Sequence, residues 1–191
     1  MLAKIFAKTR INSVLTTVRS SAIGRHARAV NYHDVSSTML DRFADQLKYY
    51  QKHYVDMDRL KLNALLEGRW EIDRPGLLMT FDDGLRSHAA HVAPLLEKYR
   101  FTGWFFVPSQ FVDTPDAEQW TFANEHAIEP FGDDYLGDRI ALSSDEVRDL
   151  DTRGHVIGSH TRHHVRLESK LRKKELERRD HRLQAPTRGT T

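Results

Sequence analysis

The sequence contains no cysteine, which excludes disulfide bonds and thiolate metal sites. It also has no run approaching the roughly 18 to 20 apolar residues that a membrane-spanning helix needs. Basic and acidic residues nearly balance, 29 against 27, so the overall charge does not indicate a nucleic-acid partner. Histidine, by contrast, is abundant, with 11 in 191 residues. Any metal site must therefore use nitrogen and oxygen ligands.

Acidic residues are missing from residues 1–30, where basic residues are interspersed with apolar ones at helical spacing. This pattern predicts a basic amphipathic helix over residues 1–28. Such a helix is compatible with contact to an anionic membrane surface, with a targeting segment, or with packing of its apolar stripe on the rest of the protein. Lys8 and Arg10 interrupt the apolar stretch, so no clear secretory signal is present. We therefore expect a cytoplasmic or membrane-peripheral protein rather than a secreted one.

From residue 29 onward, short apolar runs alternate with segments of helical periodicity. This alternation is typical of parallel βαβ units and predicts an α/β protein, either an open doubly wound sheet or a barrel. Residues 108–142 interrupt the alternation and are predicted to be a long irregular insertion. Strands are predicted at 29–35, 54–57, 76–81, 102–108 and 155–160, and helices at 39–53, 58–70, 87–99, 143–154 and 168–183.

Two adjacent aspartates, Asp82 and Asp83, directly follow the apolar strand predicted at 76–81. Within a strand their side chains would point to opposite faces, but Gly84 permits a sharp turn after which both can approach one centre. Two carboxylates at such close range repel each other unless a cation lies between them. A metal site is one interpretation of this pair, and a polar turn that caps the following helix is the other.

A second polar group, His160 and His164, follows the strand predicted at 155–160. If a helix begins after His160, His164 falls in its first turn and the two imidazoles converge, while His163 points elsewhere. Histidines at this spacing also occur as surface residues. Both polar groups, however, lie at carboxyl ends of predicted parallel strands, where α/β proteins assemble their sites. One carboxylate and two imidazoles would leave open positions on an ion, and the second aspartate would be free to act as a base.

The motifs TFDDG at 80–84 and HTRHH at 160–164 together resemble those of the polysaccharide deacetylases, carbohydrate esterase family four, whose domain is also called the NodB homology domain. YHDV at 32–35 and LSSDEVRDLDTRG at 142–154 are similar to further stretches of that family. The resemblance covers residues 29–183. It implies a distorted (β/α) barrel and metal-dependent removal of acetyl groups from sugars, usually N-acetyl groups of amino-sugar polymers.

Matched residue by residue, the resemblance implies that Asp83, His160 and His164 bind a divalent metal, with zinc favoured, and that Asp82 is the catalytic base. It also implies an acetylated polysaccharide or oligosaccharide as the partner, and no nucleic acid. An Asp/His triad does not by itself distinguish acyl from phosphoryl substrates, so another metallohydrolase such as a phosphoesterase stays open.

The sequence departs from the family after its second motif. Members continue with an Arg-x-Pro-Tyr segment and a later Leu-x-x-His whose histidine serves as the general acid, and neither follows His164 here. We expect about five strands, too few to close a barrel, in a domain over residues 29–183 that lacks its C-terminal part and is followed by a polar tail at 184–191. The alternative function is therefore a truncated, non-catalytic remnant that binds metal or glycan without turnover.

Four aromatic residues of the predicted insertion leave two interpretations open. They could line a glycan groove, since sugars stack on aromatic faces, or they could anchor the long segment to the domain. His33 likewise could approach the site or serve as a hydrogen-bonded structural residue. The four aromatic residues are Trp120, Phe122, Phe131 and Tyr135.

Overall fold

A computed structural model of the protein describes residues 26–131, 134–135 and 137–165. Within them, five strands pair in parallel in one sheet with the order β1-β3-β4-β5, and β2 pairs with the beginning of β3. The α/β class is confirmed, and the sheet is not closed into a barrel in this part of the chain. The strands are β1 Ala27–Tyr32, β2 Val55–Asp56, β3 Gly76–Phe81, β4 Gly103–Val107 and β5 Val156–Ser159.

Helices connect successive strands, as the alternating pattern predicts. Several have clear end signals: the Asp58 carboxylate accepts a hydrogen bond from Lys61 N at 2.8 Å, and Ser143 and Glu146 form a capping box. A π-helical turn, His88–Val92, precedes Pro94, which lacks the N–H that a regular helix would use. The α-helices are α1 Leu40–His53, α2 Arg59–Leu66, α3 Ala93–Lys98, α4 Ser109–Asp113, α5 Gln119–Glu125 and α6 Ser144–Thr152.

The core lies between the sheet and the helices, and β3 runs through its centre. Leu77, Met79 and Phe81 are buried, whereas the alternate residues Leu78 and Thr80 are only half-buried on the opposite face. The ring of Phe81 contacts aromatic rings of β1, α1 and β4, stacking on that of Tyr32 at 5.4 Å between centroids. This packing holds the carboxyl ends of β1, β3 and β4 side by side.

The insertion at 108–142 is not irregular, contrary to the sequence prediction. It contains α4, a 3₁₀ turn at Asp116–Glu118 and α5, which surround a second apolar cluster. The buried side chain of Gln119 ties the beginning of α5 to the end of the insertion, because its Oε1 accepts hydrogen bonds from Ile140 N at 2.7 Å and Ala141 N at 3.0 Å. Helices of five and seven residues are too short to show a clear period in the sequence. The cluster contains Leu85, Phe111, Ala123, Ile128, Tyr135, Ile140 and Ala141.

His155 fixes the beginning of β5, the strand that leads to His160. Its imidazole is buried, and Nδ1 accepts a hydrogen bond from Gly103 N on β4 at 3.0 Å. Nδ1 therefore carries no proton, and Nε2, which lies 3.4 Å from Glu97 Oε1, carries it. Burial lowers the pKa of His155 despite the opposing effect of Glu97.

The folded protein keeps His155 neutral, whereas the imidazole of the unfolded chain takes up a proton below about pH 6.5. We therefore expect the free energy of unfolding to fall as the pH decreases below this value. The slope due to this group is at most about 1.4 kcal/mol per pH unit. Urea unfolding at pH 7.5 and 5.5 would measure the effect. In His155→Asn, the amide oxygen can still accept the hydrogen bond from Gly103 N, but the side chain does not titrate. Between pH 7.5 and 5.5, the free energy of unfolding of this variant should therefore fall by about 1 kcal/mol less than that of the wild type. Equal losses in both proteins would contradict this account.

Among the described residues, no helix is both long and apolar enough to cross a bilayer. Three predicted segments lie outside the described residues: the helix at 168–183, the tail at 184–191 and residues 1–25 of the N-terminal helix. The prediction is wrong at the end of the N-terminal helix, residues 26–28, because β1 begins at Ala27.

Candidate metal centre and active site

The turn after β3 places Asp82 and Asp83 at the edge of the sheet. Asp83 has φ +77° and Gly84 has φ +64°, so the chain leaves the strand through two left-handed residues. A side chain at Gly84 would bring its Cβ to 2.9 Å from Val107 Cγ1, so glycine is required here by both conformation and space. The turn buries Asp83, which is 2% exposed, and leaves Asp82 half-buried. Neither aspartate caps the helical turn that follows, because its N-cap is Ser87.

The segment that carries His160 and His164 is not helical, so the helical turn considered for it is wrong. His160 N still donates to Val107 O at 3.1 Å, which extends the pairing of β5 with β4. The chain then turns through Thr161 and His164, with φ +64° and +49°. Val165 N donates to Thr161 Oγ1 at 3.1 Å, a side-chain bond that replaces a helical one. The imidazoles converge through this tight turn rather than through helical periodicity.

Asp83, His160 and His164 come together in one cluster. Asp83 Oδ1 lies 3.1 Å from His164 Nε2 and 3.5 Å from His160 Nε2, and one ligand atom from each residue lies within 4.8 Å of the others. Although both nitrogens are close, the buried Oδ1 forms no hydrogen bond of good geometry with any described residue. A buried carboxylate oxygen without such a bond, facing two imidazole nitrogens, fits a cation bound between the three side chains.

The carbonyl oxygen of His126 selects the tautomer of His164. His164 Nδ1 lies 2.5 Å from this oxygen, which can only accept a hydrogen bond. The neutral imidazole therefore carries its proton on Nδ1 and directs the lone pair of Nε2 towards Asp83. The sequence offers no signal for this contact, since the acceptor is a backbone carbonyl of the insertion.

The charges in the cluster support one another. Burial alone would raise the pKa of Asp83, but the contact with His164 and the attraction to the imidazoles of His164, His33 and His160, when these are protonated, outweigh it and lower the pKa. The same contact raises the pKa of His164, whereas burial lowers that of His160. The charge of Asp82 acts on both imidazoles, so this second carboxylate lies at the edge of the cluster. The centre thus offers negative charge and two nitrogen ligands to a cation.

The aromatic residues of the insertion divide into two pairs. Tyr135 is buried, with its hydroxyl donating to Asp34 Oδ1 at 2.9 Å, and Phe122 stacks on Phe111 at 5.2 Å between centroids. These two rings anchor the insertion. Trp120 and Phe131 are 41% and 58% exposed and remain available for contact with a ligand.

His33 and His163 differ from the clustered histidines. The side chain of His33 is exposed, and its structural hydrogen bond is made by its backbone oxygen, which lies 2.7 Å from Nε2 of the buried His88. The ring of His163 packs 6.0 Å from that of His126. Neither belongs to the cluster of Asp83, His160 and His164.

Comparison with known proteins indicates the family of this chain. The sequence profile described as Polysaccharide deacetylase matches residues 71–189. A search of curated proteins found no match.

Three solved structures have a similar fold. They are the Streptococcus pyogenes deacetylase PplD in complex with acetate, IcaB from Ammonifex degensii and the BpsB deacetylase domain from Bordetella bronchiseptica. In that order, their TM-scores are 0.55, 0.52 and 0.50, and their sequence identities to this chain are 17%, 24% and 18%. The similarity covers 76%, 73% and 71% of this chain. The chain spans 60%, 54% and 55% of those solved chains. Because the profile covers more than half of the sequence and includes both the Asp82–Asp83 and the His160–His164 motifs, the chain belongs to the polysaccharide deacetylase family.

Proposed function

We propose that this protein removes acetyl groups, most readily N-acetyl groups, from a polysaccharide or oligosaccharide with the help of a divalent metal ion. The observation that carries the proposal is the buried Asp83 Oδ1 facing Nε2 of both His160 and His164 at the carboxyl edge of a parallel sheet. Family membership indicates an acyl substrate. The three side chains alone do not specify the substrate.

In this proposal Asp83, His160 and His164 hold the ion through one oxygen and two nitrogens. This donor set suits zinc, and three protein ligands leave positions open, as in catalytic rather than structural zinc sites. When bound, the ion would lower the pKa of a water molecule and polarise the acetyl carbonyl group. The backbone turn at Asp83 and the His126 contact to His164 orient two of the ligands before any ion binds.

Asp82 is the proposed base. It accepts a proton from water as the water oxygen bonds to the acetyl carbonyl carbon. The carbon–nitrogen bond then breaks, the departing amine takes up the proton that Asp82 accepted, and the products are acetic acid, which ionises to acetate, and a free amino sugar. The adjacent Asp83 cannot serve as the base, because its buried carboxylate is directed at the two imidazoles.

Acetate release from an acetylated chito-oligosaccharide tests the proposal. We expect release by the zinc-loaded protein and none after removal of the metal with a chelator, with activity restored by added zinc. Chelator-insensitive release would contradict metal dependence. Hydrolysis of bis(p-nitrophenyl) phosphate without acetate release would favour a phosphoesterase.

The second candidate is a protein that binds metal or glycan without turnover, because the three clustered side chains offer ligands to an ion but do not by themselves specify a reaction. Zinc bound in stoichiometric amount without acetate release would support it. Cytoplasmic or membrane-peripheral localisation, and contact of the basic segment 1–28 with a membrane surface, also remain proposals.

A further inference from the structure

We infer that Asn31 is a positioning residue, which holds the carboxylate of Asp82 in the orientation needed to take a proton. Asn31 Nδ2 donates a hydrogen bond to Asp82 Oδ2 at 2.8 Å. This bond restricts rotation of the carboxylate and leaves Oδ1 as the oxygen that receives the proton. The inference rests on the proposed function, because it assigns to Asn31 a role in the action of the proposed base.

The register of β1 and β3 explains why these two side chains meet. The strands are parallel, with Asn31 opposite Thr80 and Tyr32 opposite Phe81. Asp82 is two residues beyond Thr80, so its side chain lies on the same face of the sheet as those of Thr80 and Asn31. Asp82 N also donates to Tyr32 O at 2.9 Å, which continues the pairing past the end of β3. The backbone of the proposed base is therefore fixed by β1, and its carboxylate by Asn31.

The charge of Asp82 explains why its contact with Asn31 matters. Asp82 is adjacent to Asp83, and its charge acts on both His160 and His164. A carboxylate this close to the cluster, if free to rotate, could become a further ligand of the ion and cease to be a base. The Asn31 amide donates to Asp82 without introducing a charge or a titrating group. We infer that Asn31 keeps Asp82 out of the ligand set.

Asn31 is exposed, so its replacement should leave the core intact. Asn31→Leu removes the donor while keeping similar side-chain size. Asn63→Leu, at an exposed asparagine of helix α2, is the matched control. We expect Asn31→Leu to lower kcat for acetate release about 10-fold to 100-fold, with KM and zinc content unchanged. Asn63→Leu should match the wild type.

A kcat of Asn31→Leu within about twofold of an active wild type would overturn the inference, and so would an equal fall in Asn63→Leu. A fall in kcat accompanied by a proportional loss of zinc would also overturn it, because it would mean damage to the centre rather than misplacement of the base.

A spectroscopic readout separates this inference from the proposed function. If the wild type releases no acetate, the proposed function fails. The role of Asn31 can then be tested by the absorption spectrum of the protein loaded with cobalt(II). We expect the cobalt absorption spectrum to change in Asn31→Leu, where Asp82 can reach the ion, and to return to the wild-type form in the double variant Asn31→Leu/Asp82→Asn. An unchanged spectrum in Asn31→Leu would overturn the inference.

Discussion

Zinc is expected to bind the wild-type protein in about equimolar amount and to be lost from His160→Ala and from His164→Ala. Each substitution removes one of the two imidazoles that face Asp83 Oδ1. With a carboxylate and a single nitrogen left, the site has too few ligands for tight zinc binding. Metal analysis of the purified proteins after dialysis would measure the difference.

His163→Ala is the matched control for both variants. His163 lies in the same motif but outside the cluster, with its ring 6.0 Å from that of His126. We expect it to retain zinc at the wild-type level. Equal zinc content in the wild type and in His160→Ala would remove His160 from the proposed ligand set, and zinc loss from all three variants would indicate general disruption of the turn.

Asp82→Asn should abolish most of the activity while leaving the metal in place. The amide has nearly the same shape as the carboxylate but cannot take a proton at neutral pH, and general-base catalysis contributes about 10²-fold to 10⁴-fold to the rate. We therefore expect kcat for acetate release to fall by about that factor, with zinc content close to that of the wild type. Kinetics and metal analysis on the same preparation would test both points.

Asp83→Asn provides the contrast to this variant. It weakens a ligand rather than the base, so activity and zinc content should fall together. If Asp82→Asn instead lost zinc and kept its activity per bound ion, the roles of the two aspartates would have to be exchanged. If it kept full activity, Asp82 would not be the base.

Much of the fold could be predicted from the sequence because the central strands β3 and β4 are apolar along most of their length and alternate with helical segments. The strand predicted at 76–81 coincides with β3, and the others differ from β1, β2, β4 and β5 by a few residues at their ends. The site followed from the same reasoning, since Asp82 and Asp83 are the first two residues after β3 and His160 is the first after β5. Polar residues at these positions meet at one edge of a parallel sheet.

The remaining features depend on contacts between distant residues. The turn after His160 is held by the bond from His164 to a backbone oxygen 38 residues away, which no local pattern indicates. The bond between Asn31 and Asp82 joins residues 51 apart, and a single asparagine in a strand has no distinguishing spacing. The short helices of the insertion are stabilised by their own apolar cluster rather than by helical periodicity.

The left-handed backbone at Asp83 limits how this centre could be redesigned. Aspartate, asparagine and histidine adopt positive φ more readily than most residues, whereas many other side chains meet a penalty of about 1–2 kcal/mol there. A centre made by Asp83→Glu or Asp83→Cys would carry this strain before any metal was added. Engineering of a different ion preference is therefore better directed at the surroundings of His160, whose backbone still follows the extended path of β5.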